Sequence, residues 1–244
     1  MSLETYADAA DLYLTRGQDV NPRRPLFTGD VFADVPVPGI QTGGTALIMA
    51  HPCTLRGRQA QLKKHVLVAA VRDHAEVGQG AWTKGYYDMM PLPHLIGTRF
   101  YVGRFDEMGR ALTADLLKTQ RLACLSVPGI NLLQQRLIWH LTRFEVETYR
   151  LHEAFAHTFE EADLLEEWND VLCDGGFAEA EATILFEEFI RADLGNRRTL
   201  QEGLRDPQRR SSVRSAVRAE ARRAAAQRWT SMADTEGGEQ DRAR

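Results

Sequence analysis

Ten arginines and no lysine lie between Arg197 and Arg228, against three acidic residues in the same segment. The segment carries a net charge of +7 in a 244-residue chain whose formal net charge is −4, so the remainder carries −11. Several of the arginines recur at every fourth position, which on a helical period of 3.6 residues places them in a stripe along one side. These arginines are Arg210, Arg214, Arg218 and Arg222.

The arginine-rich segment has the start and composition of a helix. Asp206 followed by Pro207 is typical of an N-cap and first helical position, and an alanine-rich run follows, so we expect a helix from Pro207 to about Trp229. Its apolar side is narrow and built from small side chains, so that its burial contributes little free energy and the helix needs a partner. That side consists of Val213, Val217, Ala221 and Ala225.

Three kinds of partner suit this helix. Guanidinium groups bind phosphate oxygens in bidentate geometry, which indicates a nucleic-acid backbone. The stretch 151–190 has twelve acidic residues and no Lys or Arg, so it offers a partner within the chain or in a second copy of it. Another protein is the third alternative. For the nucleic-acid alternative, the contacting residues are Arg209, Arg210, Arg214, Arg218, Arg222 and Arg223.

The overall composition of the sequence limits the cellular location and the cofactors that can be expected. No run of about 18 apolar residues is present, and the N-terminus does not resemble a signal peptide, so we expect a cytoplasmic protein without a membrane partner. Cys53, Cys124 and Cys173 are odd in number and far apart, which favours reduced thiols. His51 and Cys53 are two potential metal ligands without a second pair, so we expect no metal or cofactor.

The first half of the chain predicts mostly short strands. Residues 4–16 are expected to form a helix closed by Gly17. After Gly29 the pattern changes to apolar runs separated by Gly and Pro, which is typical of a small, partly closed antiparallel barrel. The predicted strands are 31–35, 45–50, 66–71, 86–92 and 100–105.

The second half of the chain predicts helices. Ile130, Leu133 and Leu137 begin the apolar face of a long helix that starts near Pro128 and continues to Leu141 and Phe144. A helical hairpin over 160–173 and 177–194 follows. The predicted class is α+β, an SH3-like β-barrel followed by a helical C-terminal half. Its predicted divisions are a helix and connector (1–28), the barrel (29–126), the acidic helical region (127–195), the arginine-rich helix (196–230) and a disordered tail (231–244).

The order of the predicted strands carries a resemblance. Gly29-Asp30-Val31 opens a first strand, a Gly-rich loop leads to the apolar strand 45–50, and a third strand covers 66–71. A closing segment, 116–126, then precedes a long amphipathic helix. Over roughly residues 29–145 this order resembles the PemK/MazF-type barrels, which include toxin ribonucleases of bacterial toxin and defence loci. The resemblance implies a small barrel and, in its toxin members, cleavage of RNA.

The residues at the expected catalytic positions differ from the family pattern. Toxins of this family carry an Arg before the second strand and a Thr or Ser after the third. Here those positions hold Gly44-Thr45 and Arg72-Asp73-His74. The candidate catalytic residues are therefore Thr45, Arg72 and His74, with His74 as general acid or base and Arg72 stabilising the phosphate in the transition state. The alternative is that Arg72 and His74 are solvated loop residues.

A basic loop follows the second predicted strand. It contains no acidic residue, and in small barrels such loops often bind single-stranded nucleic acid next to stacking aromatic residues. Trp82, Tyr86 and Tyr87 are either such platforms or core residues. The cations of the loop are Arg56, Arg58, Lys63 and Lys64.

We therefore expect a nucleic-acid-engaging accessory protein of a toxin-like or defence system. One alternative is a PemK/MazF-like endoribonuclease with a rearranged site, and whether the chain is an enzyme stays open. Another alternative is a structural protein, or a homo-oligomer, held together by pairing of its acidic and basic helices.

Overall fold

A curled antiparallel sheet in the shape of a half-barrel contains seven strands of the described chain. Its spatial order is β1-β7-β2-β3-β4-β6-β5, so β1 and β5 form the two edges. In chain order the strands are β1 (Tyr13–Arg16), β2 (Asp30–Val35), β3 (Gly44–Ile48), β4 (His65–Asp73), β5 (Met89–Pro93), β6 (Phe100–Leu112) and β7 (Arg121–Leu125).

The computed structural model describes residues 3–37, 44–56, 61–193 and 199–242, and it describes no side chain for Cys53 or for 231–242. Helices join or follow the strands, so the protein is of mixed α and β type. They are α1 (Pro52–Leu55), α2 (Gln79–Trp82), α3 (Thr113–Leu116), α4 (Val127–Thr142), α5 (Thr148–Asp174), α6 (Glu179–Arg191), α7 (Leu200–Gly203) and α8 (Arg210–Arg242).

The described residues fall into two units. The first contains residues 3–22, 26–56 and 61–155, and the second contains 23–25, 156–193 and 199–242. The sheet and α4 belong to the first unit, whereas the arginine-rich helix and most of the acidic stretch belong to the second. The division between units therefore falls within α5, where the sequence predicts no boundary.

Three of the predicted strands are confirmed closely, as β2, β3 and β4. In the β3–β4 ladder Ala46 is opposite Ala70 and Ile48 is opposite Val68, so these four buried side chains share a face, and the equally buried Leu47 and Ala69 lie on the other face. The predicted strand over 86–92 is shorter at its start, as β5, and the one over 100–105 continues to Leu112 in β6.

The predicted helix over residues 4–16 is wrong. Ala9–Leu12 is a single 3₁₀ turn, and Tyr13–Arg16 is the edge strand β1, which pairs with β7. Tertiary contacts decide this conformation, because the buried Tyr13 side chain donates its hydroxyl to the carbonyl of Pro93 at 3.0 Å. A helix at this position would leave the outer side of β7 unpaired.

Side chains connect the two edges of the sheet. Tyr13 of β1 reaches Pro93 of β5, and Arg16 donates from Nη1 to the carbonyl of His94 at 2.7 Å. Within the described residues no backbone ladder joins β1 to β5. The edge strand β5 also carries two prolines, Pro91 and Pro93, which have no N–H to offer a further strand.

Helix α4 packs against the sheet through its first three turns. Ser126 caps it by accepting from the N–H of Gly129 at 3.1 Å, and Ile130 and Leu133 are buried. The predicted apolar face is therefore confirmed in this half of the helix, but Leu141 and Phe144 at its other end are 63% and 73% exposed. The helix ends at Thr142, since Arg143 adopts a left-handed conformation.

A fully buried arginine on α4 fixes the segment between α2 and β5. Arg136 donates to the carbonyls of Trp82 (3.1 Å), Tyr86 (2.6 Å) and Met89 (2.7 Å), and its guanidinium lies 5.2 Å from the centre of the Trp82 ring. Burial lowers the pKa of Arg136 to about 10. The cation stays charged at neutral pH and ties three backbone carbonyls to α4.

The second unit has a core of helices. α5 and α6 form the predicted hairpin, which turns at Gly175 and Gly176, and their apolar faces enclose Trp168 and Phe186. α8 lies on this hairpin through the stripe predicted from the sequence, since Val213, Val217 and Ala221 are buried in the same core. Residues 231–242, for which the sequence predicts disorder, continue the backbone of α8.

Gly129 is expected to be essential for the packing of α4. A Cβ atom there would overlap the carbonyl oxygen of Leu12, which is backbone and has no room to move. We expect Gly129→Ala to lower the free energy of unfolding by about 3 kcal/mol, as measured by urea denaturation.

Gly80 in α2 provides the matched control, because no atom lies within 4 Å of the position of an added Cβ. Gly80→Ala should change the free energy of unfolding by no more than about 0.5 kcal/mol. Equal stability of the two variants would contradict the close approach of α4 to Leu12.

Candidate functional site

The backbone of Lys63 and Lys64 is fixed from two sides. Lys63 donates its N–H to the carbonyl of Leu55 at 2.9 Å, and Thr113 donates its hydroxyl to the carbonyl of Lys63 at 2.5 Å. Thr113 also donates its N–H to the carbonyl of Lys64 at 3.0 Å. Both lysine side chains are exposed. A rigid backbone thus presents two adjacent ammonium groups to solvent immediately before β4.

The pairing of β4 with β6 brings a further cation to the start of β4, which follows Lys63 and Lys64 in the chain. His65 is opposite Leu112 and Leu67 is opposite Arg110, so these four side chains share one face of the ladder. Arg110 is exposed, and it forms no ion pair within the described ranges. We call Lys63, Lys64, His65 and Arg110, together with Arg56 in the preceding loop, the basic strand end.

Arg56 and Arg58 belong to the loop that leads into this region. Arg56 forms an isolated antiparallel bridge with Leu62, which closes the loop next to Lys63. Arg58 lies outside the described residues. Three of the four loop cations predicted from the sequence are therefore located, and Arg110 is an addition that the sequence did not indicate.

The candidate catalytic residues lie at the opposite end of β4. The eight steps from His65 to Asp73 span about 26 Å in an extended strand, so Arg72 and His74 are remote from Lys63 and Lys64. Thr45 is opposite Val71 in the ladder, so it shares a face with Val71, and Arg72 points to the other face. The register therefore separates Thr45 from Arg72.

Arg72 and His74 are both engaged with protein groups. Arg72 donates from Nε at 3.0 Å and from Nη2 at 2.5 Å to Oε2 of Glu107. His74 has Nδ1 2.7 Å from the carbonyl oxygen of Ala75 and packs its ring on Tyr86, with centroids 6.1 Å apart. Arg72, Thr45 and His74 do not converge on a common point in this arrangement.

A second ion pair adjoins Arg72. Arg104 donates from Nε to Asp106 at 2.8 Å and from Nη2 at 2.5 Å, and these hydrogen bonds hold the pKa of Asp106 below its usual value. Two cations and two carboxylates therefore balance one another, with Glu107 as the partner of Arg72. A phosphate at this place would have to displace Glu107 from Arg72.

Of the three aromatic residues considered as stacking platforms, one is clearly in the core. Trp82 is fully buried against Phe100 and beneath Arg136. Tyr87 packs on Trp139 with centroids 5.6 Å apart. Tyr86 is exposed, but it lies beside His74 and therefore far from the basic strand end.

The cations of the arginine-rich helix lie mostly against carboxylates of their own unit. Arg214 forms a two-pronged ion pair with Glu160 of α5. Arg218 does the same with Glu167, from Nε at 2.7 Å and from Nη2 at 2.8 Å. Arg223 pairs with Glu220 in α8 itself at 2.6 and 2.8 Å. The intramolecular alternative from the sequence is thus what these three arginines adopt.

Arg228 extends the same pattern. It lies 3.6 Å from Glu181 and stacks on Phe177 at 4.9 Å from the ring centre. Arg24, from the connector before β2, pairs with Asp163 at 3.3 Å and with Glu166 of α5. The acidic stretch and the basic helix therefore neutralise each other within the second unit.

Arg209, Arg210 and Arg222 differ from the paired arginines. Arg210 donates from Nε to the carbonyl of Leu204 at 2.8 Å. None of the three forms an ion pair with a carboxylate in the part of the chain that the structure describes. Arg197 and Arg198 lie outside that part.

No protein-family model matches this sequence, and comparison with curated proteins finds no relative. The site is therefore interpreted from its own geometry. In the described ranges, no three His, Cys, Asp or Glu side chains are grouped so as to hold a metal ion, and the side chain of Cys53 is outside those ranges. No described helix has both the length and the apolar character needed to cross a bilayer.

The pairing of α8 with α5 predicts a measurable coupling. Glu160→Gln and Arg214→Gln, made singly and together, should give a coupling free energy of about 0.5–1 kcal/mol in urea denaturation, because the pair is bidentate and half-buried. The same cycle with Arg222→Gln in place of Arg214→Gln serves as the control and should give a value close to zero. Equal coupling in the two cycles would show that Glu160 responds only to the general charge of α8.

The second ion pair predicts a dependence of stability on pH. Hydrogen bonds from Arg218 hold the pKa of Glu167 below its ordinary value of 4.5. A carboxylate with a lowered pKa stabilises the fold fully above the pKa of the unfolded chain, and this contribution is lost as the pH falls through the folded-state pKa. The stability difference between wild type and Glu167→Gln should thus be constant from pH 7 to about pH 5.5 and shrink as the pH falls below 4.5.

Glu188 on α6 is exposed and forms no ion pair within the described residues, so Glu188→Gln is the matched control. Its effect should stay small over the same pH range in chemical denaturation. A difference for Glu167→Gln that does not shrink as the pH falls below 4.5 would exclude the ion pair as its cause.

Proposed function

We propose that this protein binds the phosphate backbone of a nucleic acid through the basic strand end of its first unit. The observation that carries the proposal is the fixed backbone of Lys63 and Lys64, held by Leu55 and Thr113, with both side chains exposed. Ammonium groups on a rigid support lose less conformational entropy on binding than groups on a mobile loop. Contacts of this kind bind phosphates without reading sequence.

The surroundings of the two lysines favour a polyanion. No acidic residue lies between Thr45 and Ala70, so the whole approach to β4 is positive. Arg110 adds a guanidinium from the neighbouring strand, and Leu67 and Leu112 are 40% and 37% exposed beside it.

The arginine-rich helix contributes less to this proposal than its charge suggests. Arg214, Arg218 and Arg223 already hold carboxylates in bidentate geometry, and a phosphate would have to compete with them. The proposed contact surface is therefore the basic strand end, without the central part of α8.

The proposed role is that of an accessory nucleic-acid-binding protein in a toxin-like or defence system. The SH3-like barrel and the PemK/MazF-type relationship stay predictions from strand order. An endoribonuclease is the weaker alternative, because Thr45 and Arg72 lie on opposite faces of the sheet and Arg72 is paired with Glu107.

The proposal predicts binding that weakens steeply with salt. Fluorescence anisotropy with labelled single-stranded RNA and DNA, at several salt concentrations from about 50 mM upward, should show log K falling linearly with log salt. Lys64→Gln should weaken binding and reduce the magnitude of the salt slope by about 0.7–0.9, the value for one released counterion.

Lys84 is the matched control, since it is an exposed lysine that follows α2 near the opposite end of β4. Lys84→Gln removes the same charge and should leave both affinity and salt slope unchanged. The proposal is wrong if neither RNA nor DNA binds at about 50 mM salt, or if the two variants lose affinity equally.

A further inference from the structure

A second group of cations lies in the second unit, around the turn between α7 and α8. Arg205, Arg209 and Arg210 fall within six residues of the sequence, and none has a carboxylate partner in an ion pair among the described residues. This distinguishes them from the arginines further along α8, which lie against Glu160 and Glu167.

The guanidinium groups of Arg209 and Arg210 both lie next to the turn that contains Gly203 and Leu204. Arg210 donates from Nε to the carbonyl of Leu204 at 2.8 Å. The guanidinium of Arg209 lies over Gly203, where an added Cβ would be 3.7 Å from its Cζ and Nη2 atoms. Because Gly203 and Leu204 are adjacent, the Arg209 and Arg210 side chains lie at one turn, and Arg205 follows this turn directly in the chain.

A histidine of α5 faces this group. His157 is half-buried, and the charged side chains near enough to shift its pKa are Arg205 and Arg210. Burial and these two cations lower the pKa of His157, so its imidazole is neutral at pH 7.

The nearby carboxylates are engaged elsewhere. Glu160 holds Arg214, and Glu161 accepts from Gln201. Glu202 accepts from the N–H of Thr199 in a capping box, and Asp206 accepts from the N–H of Gln208 at 3.0 Å. Glu153, one turn before His157 on α5, is exposed. None of these carboxylates forms an ion pair with Arg205, Arg209 or Arg210, so a multiply charged anion would relieve the repulsion between the three like charges.

We infer that Arg205, Arg209, Arg210 and His157 form a binding site for a dianionic phosphate group, either free phosphate or the terminal phosphate of a nucleotide. Guanidinium forks match the spacing of phosphate oxygens, and the imidazole supplies one further hydrogen bond. The positive end of the α8 dipole adds to the attraction. The inference does not depend on the function proposed for the first unit.

The test uses the full chain with inorganic phosphate as the probe, in isothermal titration calorimetry at pH 7. Arg209→Gln should weaken phosphate binding at least tenfold. Arg222→Gln is the matched control, since it removes the same charge from a position further along α8 and should bind as wild type does. Lys64→Gln should also leave phosphate binding unchanged, which separates this site from the basic strand end.

A measurement on the unmodified chain makes the test independent of how the variants fold. Saturating phosphate should raise the pKa of His157, followed by NMR of its imidazole, because the bound dianion opposes the field of Arg205 and Arg210. The inference is overturned if the pKa of His157 does not respond to phosphate, or if Arg209→Gln and Arg222→Gln bind phosphate equally.

Oligonucleotides with and without a 5′-phosphate distinguish the two sources of the ligand. If only the phosphorylated one competes with inorganic phosphate, the site accepts terminal phosphates on a chain. If neither competes, the site takes the free anion. Equal competition by both would show that diester groups suffice, and the assignment of a dianion site would be wrong.

Discussion

The pairing of acidic α5 with basic α8 is the interaction on which the second unit depends. The side chains of α8 that pack against the hairpin are small, so this packing alone buries little apolar area. Bidentate pairs at Glu160 and Glu167 fix both the position and the rotation of the helix. Each pair contributes modestly in water, but successive pairs along one side act on the same rigid element. The opposite charges of the two segments therefore act mainly to stabilise the folded second unit.

This pairing changes how the charge of the protein is interpreted. A stripe of arginines suggests a polyanion partner when it is considered alone, but among the described residues Arg214 and Arg218 of this stripe are paired with carboxylates, as are Arg223 and Arg228 further along α8. The cations considered for external ligands form no ion pair among the described residues: Lys63, Lys64 and Arg110 in the first unit, and Arg205, Arg209 and Arg210 in the second. Local pairing, and not the net charge of a segment, therefore decides which cations can bind an external anion.

Local periodicity predicted much of the fold. It identified β2, the α5–α6 hairpin and the buried stripe of α8 from apolar residues that repeat with the period of the element, whereas continuous apolar runs identified β3 and β4. The prediction of a helix over residues 4–16 was wrong, since pairing of β1 with β7 overrides the weak helical pattern of this segment. Arg110 could not be located from the sequence, because only the register of β4 with β6 places it opposite Leu67, close to the start of β4. The same holds for Arg136, whose partners are backbone carbonyls far away in the chain.

The two prolines of β5 have a consequence for the behaviour of the protein in concentrated solution. A curled sheet whose edges are not joined by backbone pairing exposes strands that can recruit a neighbouring molecule. Pro91 and Pro93 remove amide hydrogens from one edge, and Tyr13 and Arg16 occupy carbonyls at its end. Intermolecular sheet extension, the first step towards fibrous aggregates, is thereby blocked at this edge while the sheet stays open.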